Sequence, residues 1–399
     1  MVASMDRAVD VVVIGAGPGG STAARYAALG GAKTLLLEKR TEIGTPVRCG
    51  EGVAKRWLEE VGLSPNRAFI AHEVEGARIV APDGTALLVD ERRGGNETGY
   101  VLERDLFDRH LAKEAAKAGA EILVRASAVG LLKEDGRVVG ARCEHFADSF
   151  DVRAKVVIGA DGFESQVGRW AGLETHLRTR DIDGCLQYTL VGADGDPRFN
   201  DFYLGSCAPG GYAWTFWKGP DTANVGIGVN LSKTRDRADV KKYLDAHIAR
   251  TPGLAKGEVI EEVAGAVSVS LPLERTVAPG LMLVGDAARL IDPLTGGGIL
   301  NACLSGKYAG EVAAEAVRSG DAGLAALGAY ERRWRGRLEE ELSRHYVLKE
   351  RLLRLDDETI NKILRAISEM DIRRMTVKDV LEAVRARSPE VLREFEDLL

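Results

Sequence analysis

The apolar positions of residues 10–40 fall into two short runs separated by a stretch of small residues. Val11–Ile14 is a continuous β-branched run, as in a strand that is buried on both faces. The alanine-rich stretch that follows predicts a helix, and KTLLLEK (33–39) predicts a second buried strand that ends at Glu38. Strand, helix and strand in this order predict a βαβ unit with parallel strands.

Two later apolar runs, VVIGADG (156–162) and LMLVGD (281–286), have the same buried-strand pattern. Between them, four segments alternate apolar and polar positions and are separated by glycines, which is typical of one antiparallel sheet. These segments are DIDGCLQYTLVG, RFNDFYLG, GGYAWTFWKG and TANVGIGVNL. The pattern therefore predicts two sheets. The segment that forms the antiparallel sheet lies, along the chain, between the strands of the parallel sheet.

From about residue 322 the pattern predicts helices. In residues 331–355 the apolar side chains Leu338, Leu342, Tyr346 and Leu353 recur at helical spacing among many Arg, Lys and Glu residues. One interpretation is an amphipathic helix that docks on the body of the protein and exposes its charged face. The other is a cationic face that meets anionic lipid headgroups.

The chain has 399 residues, enough for two or three domains of roughly 100–200 residues each. We predict an α/β fold, α+β overall, with a Rossmann-type domain, an antiparallel-sheet domain and a helical region. The Rossmann-type domain is predicted over residues 1–70, 100–175 and 275–320, the sheet domain over 71–99 and 176–274, and the helical region over 321–399.

Charge and composition argue against several classes of protein. The net charge of −6 disfavours general nucleic-acid binding, which needs a basic face. No apolar run is long enough for a signal peptide or for a membrane span of about 20 residues. We therefore expect a cytoplasmic protein, at most attached to the inner face of the cell membrane. Five cysteines without a C-x-x-C spacing and six scattered histidines predict neither a disulfide framework nor a metal site.

The first βαβ unit carries the fingerprint of a dinucleotide site. The glycines of IGAGPGG form G-x-G-x-x-G between the first strand and its helix. Such glycines permit a tight turn, backbone approach to a pyrophosphate and close helix–strand packing. Glu38 can accept hydrogen bonds from ribose hydroxyls and repels a 2′-phosphate, so FAD or NAD is expected rather than NADP. The predicted contacts are Gly15, Gly17, Gly19, Gly20 and Glu38.

Two further stretches favour FAD. Gly159, Asp161 and Gly162 end one strand, and Gly285 and Asp286 end another. The run Gly296–Gly298 then opens an apolar helix, whose N-terminus can stabilise negative charge on a reduced flavin. These arrangements resemble the FAD-binding domain of the glutathione-reductase type, in particular its aromatic-hydroxylase-like branch. The resemblance implies FAD contacts from Arg104, Ala128, Asp161, Asp286, Gly298 and Ile299.

The chain has no second G-x-G-x-x-G on a strand, turn and helix. A dedicated nicotinamide domain is therefore not expected, and electrons must reach the flavin from a transiently bound donor. Reduced ferredoxin, a deazaflavin and NAD(P)H all remain open as that donor.

The segment APGGYAWTFWKG places Tyr212, Trp214 and Phe216 at alternate positions, so all three should point to one face of the sheet. Packing inside the sheet core is one interpretation. The other is an aromatic wall beside an apolar substrate, because aromatic rings present a large flat surface at low entropic cost. Spacing alone leaves both open.

The pattern P-x-x-Y-x-W-x-F, beginning at Pro209, resembles the signature of the geranylgeranyl reductase family, as does RCGEG (48–52). With the FAD motifs, the resemblance spans roughly residues 8–320. It departs from the family motif at Trp217, where proline is usual. The resemblance implies an FAD-dependent reductase that saturates C=C bonds of geranylgeranyl chains on archaeal membrane glycerophospholipids. A hydride would come from flavin N5, and a proton would follow.

The loop PVRCGEGV (46–53) raises the question of what Cys49 does. It is either a small buried residue or a proton-donating or substrate-orienting thiol, which requires a shifted pKa. We expect backbone contact with FAD from Arg48, Cys49, Gly50 and Gly52. Cys49 and Tyr212 are the candidate proton donors.

Three functions fit these motifs. A prenyl reductase is preferred, with a prenylated glycerophospholipid as substrate and contact with a membrane surface. A flavin monooxygenase would use the same FAD scaffold. A non-catalytic prenyl-binding escort protein is the third possibility, and intact flavin motifs argue against it.

Overall fold

The computed structural model describes residues 6–90, 99–146, 148–236 and 238–368. Within these ranges the chain forms three sheets with helices packed around them. The strands are β1 (Arg7–Ile14), β2 (Thr34–Leu37), β3 (Gly52–Ala54), β4 (Ile70–Val74), β5 (Gly76–Val80), β6 (Ala86–Asp90), β7 (Gly99–Leu102), β8 (Glu121–Leu123), β9 (Ala126–Glu134), β10 (Arg137–His145), β11 (Asp148–Gly159), β12 (Ile182–Val191), β13 (Phe199–Tyr203), β14 (Tyr212–Trp217), β15 (Thr222–Asn230), β16 (Glu258–Ser268), β17 (Val277–Ala278) and β18 (Leu281–Leu283). The helices are α1 (Pro18–Leu29), α2 (Arg56–Glu60), α3 (Arg104–Lys117), α4 (Gln166–Ala171), α5 (Ala238–Arg250), α6 (Ile299–Ser319), α7 (Leu324–Trp334), α8 (Glu340–Leu352) and α9 (Asp357–Ser368).

The first sheet has the order β17-β18-β11-β1-β2-β8. Strand β1 runs parallel to both β11 and β2, and β2 runs parallel to β8. The apolar run Val11–Ile14 is almost fully buried, because helices cover this sheet as they do in parallel α/β folds. The predicted βαβ unit and its parallel sheet are therefore confirmed.

The second sheet has the order β16-β12-β15-β14-β13-β5-β6. All four strands predicted from alternation belong to it. Neighbouring strands are antiparallel except β13 and β5, which are parallel. Strand β5 comes from an earlier segment of the chain and is not joined to β13 by a hairpin, so its direction is not tied to that of β13. A small sheet, β3-β7-β4, completes the three. The proposed domain bounds are not tested by these pairings.

The helix predicted over residues 331–355 is not one continuous α-helix. Helix α7 ends at Trp334, Arg335–Glu339 form a π-helical turn, and α8 follows. Trp334, Leu338 and Leu342 are all buried, so the apolar side docks on the body as predicted. A π turn inserts extra chain into a helix, which apolar spacing in the sequence does not reveal. The predicted helical residues 369–399 lie outside the described part.

The charged side of this helical segment is engaged in ion pairs with the body and with itself. Arg333 pairs with Glu311 at 3.0 Å, and Arg337 pairs with Glu60 at 2.7 Å. Arg335 pairs with Glu331 at 2.8 Å. Across the described residues, no helix is both long and apolar enough to cross a membrane.

Helices α1 and α6 cross in close contact, and glycines make this crossing possible. A Cβ at Gly306 would lie 2.2 Å from the carbonyl oxygen of Gly19, and a Cβ at Gly310 would lie 2.4 Å from that of Ala23. Real Cβ atoms do not approach backbone oxygens so closely. The position of the glycine-rich turn before α1 therefore depends on α6.

We predict that Gly306→Ala lowers the free energy of unfolding by about 2 kcal/mol or more, because the added methyl group forces α1 and α6 apart. Urea unfolding measures the change. The control is Gly328→Ala in α7, where the nearest atom to a new Cβ is the flexible end of Arg332 at 3.4 Å. This control should stabilise by about 0.5–1 kcal/mol, as alanine does inside a helix. Equal stabilities of Gly306→Ala and the unmodified protein would refute the argument.

Candidate active site

The glycine-rich turn between β1 and α1 leaves an open groove. Gly15 has φ +103°, a conformation that favours glycine. A Cβ at Gly20 would lie 1.8 Å from the Gly15 carbonyl oxygen, whereas a Cβ at Gly17 would meet no atom within 4 Å. Helix α1 begins at Pro18 with Gly17 as its N-cap. Free N–H groups at the helix start therefore face open space, as a pyrophosphate site requires.

Glu38 closes one side of this turn. It follows β2 directly, and its two carboxylate oxygens accept hydrogen bonds from the backbone N–H groups of Ala16 (3.0 Å) and Arg40 (2.9 Å). The side chain is half-buried and fixed beside the glycines. This is the position from which an acid meets the ribose in a dinucleotide fold.

Two residues predicted as FAD contacts have other surroundings. Asp161 accepts hydrogen bonds from Val167 N (2.9 Å) and Ser165 Oγ (3.3 Å), so its carboxylate organises the start of α4. Ala128 lies inside β9, opposite Cys143 of β10. Neither Asp161 nor Ala128 lines the cavity described next.

A cavity of about 1050 Å³ extends from the glycine-rich turn across the second sheet to α8 and α9. This is at the upper end of the range for ligand pockets. Among the residues predicted from the sequence, its wall includes Gly17, Gly19, Arg48, Cys49, Gly50, Gly52, Arg104, Tyr212, Trp214, Phe216, Asp286, Gly298 and Ile299. Gly15 and Gly20, in the turn, and Glu38, after β2, do not line the cavity.

The fit of FAD to this site rests on the chain's own geometry. Open space over Gly17, the N-terminus of α1 and the Glu38 carboxylate suit a dinucleotide at one end. The loop before α6 brings a second helix N-terminus to the cavity, with Gly298 as N-cap. The Oδ1 atom of Asp286 lies 3.3 Å from where a Gly298 Cβ would be, so this loop and Asp286 are adjacent. The residues present therefore fit the cofactor.

The loop containing Cys49 is fixed by a buried acid. Glu51 is 3% exposed and has φ +75°, a strained conformation for a residue with a side chain. Its Oε1 accepts the backbone N–H of Arg104 at 2.8 Å. Its Oε2 accepts hydrogen bonds from Lys218 Nζ at 2.8 Å and Asn224 Nδ2 at 2.6 Å. One carboxylate thus joins the loop, the start of α3 and the second sheet.

Gly50 and Gly52 are required by packing against an aromatic ring. A Cβ at Gly50 would lie 3.0 Å from Phe216 Cε2, and a Cβ at Gly52 would lie 3.2 Å from the same atom. Sequence analysis assigned these glycines to close contact with FAD. The structure gives them a second reason, since Phe216 occupies the space that a side chain would need.

Cys49 is half-buried and faces a cation. Its Sγ accepts a hydrogen bond from Glu51 N at 3.2 Å. Burial raises the pKa of the Cys49 thiol, and the nearby Arg104 guanidinium opposes this effect. Arg104 is itself held by Asp108 through two hydrogen bonds of 3.0 and 3.1 Å. The thiol therefore stays protonated near neutral pH, next to a positive charge that is fixed in place.

On β14, Tyr212, Trp214 and Phe216 share one face, as their spacing predicted, and all three line the cavity. Trp214 lies across Gly226 of β15, where a Cβ would be 2.2 Å from its ring. Its Nε1 donates to Gln187 Oε1 on β12 at 3.0 Å, and Gln187 Nε2 donates to the Cys49 carbonyl oxygen at 3.1 Å. Trp214 and Phe216 are over 90% buried, so these rings are both packed residues and cavity wall.

The loop before α6, which contains Gly296–Gly298, is hydrogen-bonded to α8 and to β14. One carboxylate oxygen of Asp292 accepts a hydrogen bond from Leu294 N at 2.8 Å. The other oxygen lies 2.7 Å from Nδ1 of His345 in α8, with which it forms a hydrogen bond. This hydrogen bond raises the pKa of His345, against the effect of burial. The Tyr212 hydroxyl donates to the Thr295 carbonyl oxygen. Its proton is therefore engaged, and burial raises the pKa of Tyr212.

Sequence reasoning gave no role to Glu51, Gln187, Asp292 or His345. Their partners lie far away along the chain, as for Gln187 and Cys49. A polar residue inside an otherwise apolar strand was the available signal for Gln187. Within the described ranges, no three His, Cys, Asp or Glu side chains group together as metal ligands do.

The glycine-rich turn, the Glu38 carboxylate beside it and the helix N-terminus at the cavity are features of the class of FAD-dependent oxidoreductases. Comparisons with known families agree. Residues 10–203 match the model of the FAD dependent oxidoreductase family, and residues 181–267 match the geranylgeranyl reductase catalytic domain. The second match covers β12 to β16, the sheet that carries the aromatic wall.

Relatives of known name match over nearly the full chain. A digeranylgeranylglycerophospholipid reductase of Thermoplasma volcanium is 52% identical over 98% of this chain and 99% of its own length. One from Methanothrix thermoacetophila is 48% identical over 98% of this chain and 99% of its own. The chain therefore belongs to the geranylgeranyl reductase family, and its cofactor is FAD.

Solved structures agree with this assignment. A geranylgeranyl bacteriochlorophyll reductase-like protein from Thermoplasma acidophilum has a TM-score of 0.93 and 51% identity, covering 98% of this chain and 100% of its own. A flavin-dependent brominase has a TM-score of 0.71 at 19% identity, with 97% of this chain and 93% of its own covered. At that identity the likeness concerns the fold alone.

We predict that Glu51→Ala lowers the free energy of unfolding by about 3 kcal/mol or more, since Lys218 and Asn224 lose a buried partner. Urea unfolding measures this loss. Glu73→Ala is the matched control, because Glu73 pairs with Lys55 at the surface, where its side chain is 62% exposed. That change should cost under about 1 kcal/mol. Similar losses for both variants would show that Glu51 does not hold the loop.

Proposed function

We propose that this protein saturates the C=C bonds of geranylgeranyl chains on archaeal membrane glycerophospholipids. The names of its near full-length relatives support this substrate. The observation that carries the proposal is the aromatic wall on the shared cavity. Tyr212, Trp214 and Phe216 present flat apolar surface on the same cavity that the glycine loop before α6 reaches. Such a wall suits an unsaturated hydrocarbon.

In this proposal the two ends of the cavity have different tasks. The turn Gly15–Gly20, Glu38 and the loop before α6 hold the cofactor, with Asp286 beside that loop. Bound FAD in its reduced form supplies a hydride. The second sheet provides the substrate side, where apolar rings exclude water and align the chain. Alignment matters because an isolated alkene is a poor hydride acceptor.

Cys49 is the proposed proton donor. Each reduction needs one proton on the second alkene carbon, so the S–H bond breaks as a C–H bond forms. The raised thiol pKa keeps the proton available. The thiolate left behind is stabilised by the Arg104 guanidinium and by the N–H of Glu51. Solvent then returns the proton. Tyr212 is the weaker candidate, because its hydroxyl already donates to Thr295.

Two partners complete the proposal. The electron donor is a separate molecule (reduced ferredoxin, a deazaflavin or NAD(P)H), since the chain has no second dinucleotide fingerprint. A membrane-lipid substrate favours a cytoplasmic protein that contacts the inner face of the cell membrane. The ion pairs along α7 and the π turn favour a solvated charged face for this segment over a membrane-binding one.

The anaerobic reaction tests the function. We expect dithionite-reduced protein with bound FAD to convert a digeranylgeranyl glycerophospholipid into products heavier by steps of two hydrogens, followed by mass spectrometry. The flavin absorption should return to its oxidised form at the same time. No mass gain with any prenyl lipid would sink the proposal. Oxygen in the product, formed only in air, would favour a monooxygenase instead.

Cys49→Ser and Cys49→Ala test the proton donor. We expect at least about a hundredfold loss of kcat in both, the size of effect that a positioned acid contributes, with FAD still bound. The matched control is Cys207→Ala, since Cys207 is half-buried and does not line the cavity. If both Cys49 variants keep full lipid-reducing activity, the thiol is only a part of the loop.

A further inference from the structure

Asp292 lies at the centre of the loop that leads into α6. Its backbone N–H donates to the Gly297 carbonyl oxygen at 2.8 Å, and its own carbonyl oxygen accepts a hydrogen bond from Gly296 N at 2.8 Å. One carboxylate oxygen accepts hydrogen bonds from the N–H groups of Leu294 (2.8 Å) and Thr295 (3.2 Å). The loop is therefore folded around this one acid.

The second carboxylate oxygen of Asp292 is paired with His345 of α8, whose Nδ1 lies 2.7 Å away. The two side chains are 17% and 22% exposed, and both residues line the cavity. The hydrogen bond raises the pKa of His345, against the effect of burial. The imidazole is therefore cationic over a wider pH range than a free histidine, and it forms an ion pair with the carboxylate at the cavity wall.

Two other charged groups act on the His345 ring, and both belong to α8. Glu341 raises the pKa of His345 and Arg344 lowers it, so these two groups act in opposite directions. Asp292, which faces the ring from the loop, has the larger effect. The charge of His345 is thus directed to the loop before α6.

The charge of this pair matters because of where the loop leads. Helix α6 has 21 residues and begins after Gly298 with no acidic residue in its first turn. Such an N-terminus carries a partial positive charge of about half an elementary charge, which can stabilise the negative charge on a reduced flavin. A carboxylate without a partner in the preceding loop would oppose this effect.

A second acid near the start of α6 also has a cation beside it. Burial raises the pKa of Asp286, and the Arg104 guanidinium opposes this effect. Asp286 lies next to Gly298, since its Oδ1 would be 3.3 Å from a Cβ at that position. Arg104 therefore balances the charge of Asp286 near the helix start, as His345 does for Asp292.

Docking of α8 on the body does not need a cation at position 345. Leu338 and Leu342 are buried, and Lys349 Nζ donates to the Val269 carbonyl oxygen at 2.7 Å. An uncharged side chain in place of His345 would leave these contacts intact. Helix α8 also lies beyond the residues that match the two family models.

We propose that His345 is a positioning residue for the flavin chemistry. By compensating the carboxylate of Asp292, it keeps the N-terminus of α6 positive for bound FAD and raises the reduction potential of the flavin. Charge near the flavin ring is one of the means by which a protein adjusts the electronics of this cofactor. The inference concerns the cofactor and holds for any substrate. It makes the C-terminal helices a part of the flavin environment.

The test measures the reduction potential of bound FAD against a reference dye at about pH 6, where a histidine with a raised pKa is protonated. His345→Asn keeps a hydrogen-bond donor but loses the charge. We expect the equilibrium constant for two-electron reduction to fall at least about tenfold, which is about 30 mV. His345→Lys keeps a cation and should stay within about threefold of the unmodified protein, as should the control Arg344→Gln, because Arg344 is exposed and does not line the cavity.

A double variant separates the charge from the shape of the loop. His345→Asn with Asp292→Asn removes both charges and keeps the oxygen that accepts from Leu294 and Thr295, so the potential should return to within about threefold of the unmodified value. An unchanged potential in His345→Asn would overturn the proposal. So would a double variant as low as His345→Asn, or a His345→Lys variant that falls as far. The measurement needs no lipid, so its outcome and that of the proposed function are independent.

Discussion

The carboxylate of Glu51 is buried at the junction of three elements, and a buried charge is tolerated only where its hydrogen bonds are satisfied. Here the partners are a backbone N–H at the start of α3, the ammonium group of Lys218 and the amide of Asn224. The first comes from α3 and the other two from the β14–β15 hairpin. The loop that carries Cys49 can therefore adopt its strained backbone only when α3 and the second sheet are already in position. Formation of the site is thereby coupled to the packing of α3 and the second sheet around the Cys49 loop.

A second constraint is the match between aromatic rings and glycines on neighbouring segments. Trp214 can reach Gln187 on β12 only because Gly226 has no side chain to block its ring. Phe216 lies against Gly50 and Gly52 in the same way. The Cys49 loop is therefore held against the second sheet in two ways. Phe216 contacts its glycines, and Gln187, which is bonded to Trp214, donates a hydrogen bond to the Cys49 carbonyl oxygen. The aromatic wall and the Cys49 loop form one packed unit.

The parts of this site that could be predicted are those encoded by short spacing. Val11–Ile14, the glycines after it and Glu38 lie within one βαβ unit, so local pattern was sufficient. The shared face of Tyr212, Trp214 and Phe216 follows from the two-residue period of a strand. The role of Glu51 could not be predicted, because its partner Asn224 is 173 positions away. The π turn after Trp334 also left no signal, since it preserves a helix-like apolar spacing.

The choice of a thiol as the proposed acid follows from these surroundings. A carboxylic acid in an apolar cavity is costly to ionise, whereas a neutral thiol is buried at little cost and behaves as a small apolar residue. After proton transfer the new negative charge needs a partner, and Arg104 is already held in place by Asp108. The guanidinium therefore stabilises the thiolate without having to move. Proximity to Arg104 and exclusion from water act in opposite directions on the thiol pKa, and here burial outweighs the cation. Burial thus keeps the proton on sulfur, as the proposed role of Cys49 as proton donor requires.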